Sequence, residues 1–130
     1  MLEEILVQIA PGELVDKITI LEIKLQNIKD EVKLANILKE YNILIEIRDR
    51  HLKHNKSLDS LIAELKVTNE KLWEIEDLIR EHEDAKDFGE SFIELARSVY
   101  FTNDKRAKLK WKINMVMESD LVEEKSYSNY

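Results

Sequence analysis

The chain has 130 residues, enough for one hydrophobic core but short for two, so a single helical domain over residues 1–130 is expected. Hydrophobic residues make up 44% and charged residues 36%, with two Gly, one Pro and no Cys; this excludes disulfide scaffolds, Cys nucleophiles and zinc–thiolate sites, and disfavours sandwiches and barrels. A net charge of -7 argues against general attraction to nucleic acid or anionic membranes.

At the N-terminus, Glu3 and Glu4 precede the apolar residues 5–9, the reverse of the charge order of a secretory signal. No stretch approaches the roughly 18–20 apolar residues of a membrane span. A cytoplasmic location is expected, with residues 5–9 forming either a short strand or an apolar lead-in. Leu14, Ile18, Leu21, Leu25 and Ile28 then recur at alternating spacings of four and three, which predicts a helix over 13–28 that Pro11 begins. Asp30 is suited to cap a second helix, so a break there is favoured over one long helix through Val32 and Ala35.

The second helix, over 31–54, carries Leu34, Leu38, Tyr41, Ile45 and Leu52 and ends in the polar run His54-Asn55-Lys56-Ser57. Ser57 is placed as the cap of a third helix over 58–83, with Leu58, Leu61, Leu65, Leu72 and Ile79 on one side. Asp87 with Glu90, or Ser91 with Glu94, has capping-box spacing, and a fourth helix runs from there to about 118. Residues 121–130 are an ordered or frayed tail. The fold class is all-α, an antiparallel bundle of three or four long helices.

Enzyme signatures are missing: there is no Gly-rich phosphate loop, nucleophile elbow or plausible triad. A ferritin-like di-iron site needs Glu three residues before His, whereas Arg48, His51 and Ile79 stand three before His51, His54 and His82. Glu13/Asp16, Glu46/Asp49, Glu74/Asp77 and Glu81/Asp84 share the spacing of helical magnesium sites, but a chain this acidic produces such pairs by chance. No metal or cofactor is expected.

The informative feature is polar. At about 100° per residue, helix four places Phe92, Ile93, Ala96, Val99, Tyr100, Ala107 and Met117 on one arc, and Asn103, Lys110, Asn114 and, at the edge, Arg106 fall within it. Burying an unpaired cation costs several kcal/mol. Helix three offers Thr68, Asn69 and Glu76 within its own apolar arc. A hairpin turning near Lys86 sets Asn69 level with Asn103 and Asp104, and Glu76 level with Arg97 and Tyr100. Helix one adds Asp16 and Thr19 on a second apolar side with Ile20 and Ile23, which is either sandwiched between layers or faces another subunit. The cluster is either a register-fixing network, a ligand site, or helix four emerging into solvent. Cations and aromatics between Ala96 and Lys112 are split over two faces, which argues against a nucleic-acid stripe.

The run 12–24 (Gly-Glu-Leu-Val-Asp-Lys-Ile-Thr-Ile-Leu-Glu-Ile-Lys), the run Ile93-Glu94-Leu95-Ala96-Arg97-Ser98-Val99-Tyr100 and the run Thr102-Asn103-Asp104-Lys105-Arg106-Ala107 resemble an uncharacterised family of short bacterial and bacteriophage proteins, a domain of unknown function. Lys33-Leu34-Ala35-Asn36, Leu72-Trp73-Glu74-Ile75-Glu76-Asp77 and Leu121-Val122-Glu123-Glu124-Lys125-Ser126-Tyr127 fit the same pattern, so the resemblance covers nearly the whole chain. The family pattern has Pro where Glu31 stands, which implies a break at Asp30. The resemblance implies a compact stand-alone unit and no particular activity.

Two functions from different classes are expected. The first is a helical interaction module, a homodimer through the second apolar side of helix one. The second is a site for a small anion, with Arg97, Arg106 and Lys110 as clamps, Asn69 and Asn103 as orienting groups, Tyr100 beside them, and Glu76 or Asp16 as acid or base.

Overall fold

The structure, a computed structural model, describes residues 2–129. Four helices follow in order: α1 (Pro11–Asn27), α2 (Glu31–His51), α3 (Lys56–Ala85) and α4 (Glu90–Val116). No strand occurs among the described residues, and the strand considered for residues 5–9 is not formed. No helix is long and apolar enough to cross a membrane among the described residues.

Local chemistry sets the boundaries. Pro11 opens α1, where its missing N–H would have had no helical partner anyway. Asp30 ends the ambiguity over one helix or two, because its Oδ1 accepts from the Lys33 N–H at 3.0 Å and caps α2. Helix α3 is capped by Asn55, whose Oδ1 accepts from the Leu58 N–H at 2.7 Å, and Ser57 lies inside the helix rather than before it. Neither capping box forms at α4. Its N-cap is Gly89, with Asp87 accepting from the Gly89 N–H at 3.2 Å. Lys86, left-handed at φ 54°, closes α3 and starts the hairpin turn.

Helices α3 and α4 pair antiparallel: His82 meets Phe92 near the turn, while Leu58 and Leu65 share a core with Leu109 and Ile113 at the other end. Val15 of α1 joins that core. Helix α1 touches all three other helices, whereas α2 touches α1 alone. Glu22 ties the layers, accepting from the Tyr41 hydroxyl at 3.3 Å and pairing with Lys66 at 3.7 Å.

Two expectations need correction. Ile23 is 2% exposed within this one chain, so the inner side of α1 is sandwiched between layers and offers no argument for a second subunit. The buried side of α4 is rotated from the expected arc towards Thr102, Leu109 and Ile113, leaving Ile93 and Tyr100 exposed. The cause is α1, which crosses the hairpin and pulls that side of α4 inward.

Helix α1 spans about 26 Å and α3 about 45 Å. The hairpin therefore outruns the helix that covers it, and no residue between Ile75 and Thr102 is buried. The polar cluster sits where the cover ends.

Candidate functional site

Asp16 is the centre. It lies on the inner side of α1 at 1% exposure, where an uncompensated carboxylate would cost several kcal/mol. Arg106 compensates it in the two-pronged geometry peculiar to guanidinium: Nε donates to Oδ1 at 2.9 Å and Nη2 donates to Oδ2. Asn69 Nδ2 donates to the same Oδ1 at 3.0 Å and to Thr19 Oγ1 at 2.9 Å. Thr19 in turn donates to the Asp16 main-chain oxygen at 2.8 Å. The carboxylate only accepts, which fixes which end of the Asn69 amide faces it. Three helices thus meet on one charge.

One turn further along α4, Lys110 Nζ donates to Glu13 at 2.7 Å and to Glu123 at 2.9 Å, with Asp16 Oδ2 3.9 Å away. The C-terminal tail is tied to α1 through this ammonium. Next to it, Asn114 Oδ1 accepts from the Gly12 N–H at 2.8 Å, one of the first-turn donors of α1 that no helical carbonyl can serve. No buried side-chain nitrogen or oxygen among the described residues lacks a partner.

Burial pushes the Asp16 carboxyl up, but the hydrogen bonds from Arg106 and Asn69, with the charges of Arg106 and Lys110, outweigh it and hold the group below the ordinary carboxylate range. The bond to Asp16 raises Arg106 further. Burial pulls Lys110 down, and its bonds to Glu13 and Glu123 more than reverse this. The bond from Lys110 lowers Glu123. Asp16 is therefore a locked anion, with both oxygens engaged and no appetite for a proton at neutral pH.

A pH dependence follows. Folding lowers the Asp16 and Glu123 carboxyls, so their stabilisation is fully present above about pH 5 and is lost as pH falls through the lowered native values. Denaturant unfolding between about pH 4 and pH 2.5 should show stability falling with acid. Asp16→Asn should remove up to about 1.4 kcal/mol per pH unit from that slope. An unchanged slope in the variant would show that Asp16 does not titrate in this way.

Comparison with known families matches residues 5–130 to the Family of unknown function (DUF6165). The chain belongs to that family. No curated protein matches it, and no solved structure matches it.

Of the residues singled out in this DUF6165 chain, Asp16, Asn69, Arg106 and Lys110 come together. Asn103 is half-exposed beside Arg106, one turn from the network. Glu76 is not the partner of a buried cation. It is exposed and pairs with Arg80 of its own helix at 3.5 Å, because the hairpin has already passed beyond α1 at that level. Arg97 and Tyr100 are exposed, with Arg97 Nε donating to the Tyr100 hydroxyl at 3.4 Å and the guanidinium near the Phe101 ring. Asn114, one of the polar residues on the apolar arc of α4, also belongs to the network, as do Glu13, read from the sequence only as half of a chance-spaced acid pair, and Glu123, which was not singled out; nor was Thr19 placed as a ligand of Asn69.

Two grooves adjoin the network. One, of about 520 Å³, runs between Ile20 and Ile23 of α1, Leu72 and Trp73 of α3, and Asn103 and Arg106 of α4. The other, of about 850 Å³, lies between Tyr100, Asn103 and Arg106 of α4 and Lys125 and Tyr127 of the tail. Asn103 and Arg106 border both.

Proposed function

We propose that this chain is a cytoplasmic, homodimeric interaction module, an antiparallel bundle kept in register by the Asp16 network and joined to a second copy along the outer face of α2. The carrying observation is that α2 touches α1 alone and buries none of its 21 residues. Val32 stays 73% exposed and Ile43 53% exposed. They lie eleven residues apart, about three turns, and so share one line on the helix. Apolar side chains left exposed on a helix face that the fold does not cover suit contact with another chain.

Charge favours a second copy as the occupant. Lys39 and Glu46 flank Ile43 on that side, equally far from a point between Asn42 and Ile43. A two-fold axis there sets Lys39 of one copy opposite Glu46 of the other, twice over, as an isologous interface requires.

The small-anion reading is weaker. Arg106 and Lys110, its strongest clamps, already hold carboxylates of the chain itself, namely Asp16, Glu13 and Glu123.

Light scattering and sedimentation across a concentration series test the proposal. A dimer mass is expected. The double variant Val32→Glu, Ile43→Glu should weaken association by at least about 100-fold, since two apolar side chains of each copy, four per dimer, no longer leave water. Its helical circular dichroism should stay unchanged, since neither side chain is buried in the single chain. A monomeric wild-type mass at the highest soluble concentration would sink the proposal.

A further inference from the structure

The groove beside Asp16 contains hydrogen-bonding groups that the fold leaves unused. Asn69 is 5% exposed, and its Nδ2 serves Asp16 and Thr19. Its Oδ1 receives no hydrogen bond among the described residues. Since no buried side-chain oxygen among them is left unpaired, this oxygen must be reached from the groove that Asn69 lines. Arg106 uses Nε and Nη2 on Asp16, which leaves Nη1 available in the same groove. The whole amide of Asn103 is likewise without a partner among the described residues.

These groups specify an occupant. It must give a hydrogen to Asn69 Oδ1 and accept one from Arg106 Nη1, and the Asn103 amide takes either role. A hydroxyl does both. Trp73 adds an aromatic surface, which suits the C–H face of a saturated ring. Glu76 and Asp77, also lining the groove, accept from paired hydroxyls. Their two charges balance Arg80 and Arg106, and the charge of Arg106 is already met by Asp16, so phosphate or carboxylate ligands gain nothing here. A volume near 520 Å³ lies within the usual range of small-molecule sites.

We propose that this groove binds a neutral hydroxylated sugar ring, stacked on Trp73 and hydrogen-bonded by Asn69 Oδ1, Asn103 and Arg106 Nη1. The ring comes either as a free sugar or as the end of a glycan. The site uses none of the α2 residues assigned to self-association, so either proposal stands if the other fails.

The test uses the intact chain and nuclear magnetic resonance of the two indole N–H groups. Trp111 lines no part of this groove and serves as the internal control. Neutral monosaccharides and their oligosaccharides are titrated, with inorganic phosphate, adenosine and a lysine-rich peptide as competing chemistries. Movement of the Trp73 signal, but not that of Trp111, is expected, with a dissociation constant of about 1 mM or below for at least one neutral sugar. Saturation by monosaccharides assigns a free sugar, and saturation by oligosaccharides alone assigns a glycan end. Trp73→Ala and, separately, Asn103→Ala should weaken binding at least about tenfold. Asn103 is half-exposed and its side chain makes no hydrogen bond among the described residues, so its variant keeps the test readable if Trp73→Ala unfolds. A Trp73 signal unmoved by every neutral sugar, or moved only by phosphate, adenosine or the peptide, overturns the proposal. So does full binding by Asn103→Ala.

Discussion

Replacing Arg106 with methionine should lower stability by about 3–5 kcal/mol, because it removes the guanidinium and leaves Asp16 charged and buried. For a chain of this size the loss corresponds to a fall in Tm of about 10–20 °C. Thr19 and Asn69 would remain as uncharged hydrogen-bonding neighbours of Asp16, and Lys110, 3.9 Å from Oδ2, would remain as a cation whose hydrogen bonds already go to Glu13 and Glu123. The double variant Asp16→Leu, Arg106→Met should recover most of the loss, since an apolar pair of similar volume often replaces a buried ion pair without penalty. Thermal and denaturant unfolding of the single and double variants measures both. A single variant within about 2 °C of wild type would mean that the carboxylate is not the isolated charge its burial implies.

The second large effect is expected at Gly12. The residue has an ordinary helical φ, so its conformational freedom is not what matters. Proximity is. A Cβ placed there would stand 2.4 Å from the Lys110 carbonyl oxygen and 2.9 Å from Asn114 Oδ1. The first obstacle is backbone and cannot rotate aside, and the second is the acceptor of the Gly12 N–H. Gly12→Ala must therefore push α1 off α4, at a cost of about 2–4 kcal/mol, with valine worse. The matching control is Gly89→Ala, where the nearest atom is Asp87 Oδ1 at an ordinary 3.4 Å, and no comparable loss is expected. Equal unfolding midpoints for the two variants would remove the close approach as an explanation.

Much of this arrangement is visible in the linear chain, and the boundary of what is visible has a physical cause. Helical periodicity reports which side of each helix turns inward, so the Leu14/Ile18/Leu21 stripe and the break at Asp30 could be read directly. A polar residue on an apolar side is equally visible, which is how Asn69, Lys110 and Asp16 stood out. Counting back from the turn at Lys86 fixes heights within the hairpin. It says nothing of where α1 crosses. That missing coordinate put Glu76 in the place that Asp16 occupies, and it rotated the expected buried arc of α4. Glu123 comes from a tail with no repeat to read. The close approach at Gly12 could not be read, because a contact between helices leaves no periodic trace.

The unequal lengths of α1 and the α3–α4 hairpin also grade the molecule in stability. At the covered end, the side chains of Asp16 and Lys110 bind α1, α3, α4 and the tail into one unit, and a backbone amide there is released only when the whole unit comes apart. Beyond Ile75 and Thr102 no described residue of the two helices is buried, and Phe88 and Phe92 stand edge to face near the tip. That arm can open on its own while the covered end stays shut. The groove beside Arg106 lies on the border between the two regimes, where an occupant touching α1 and both strands of the hairpin would couple the looser half to the tighter one.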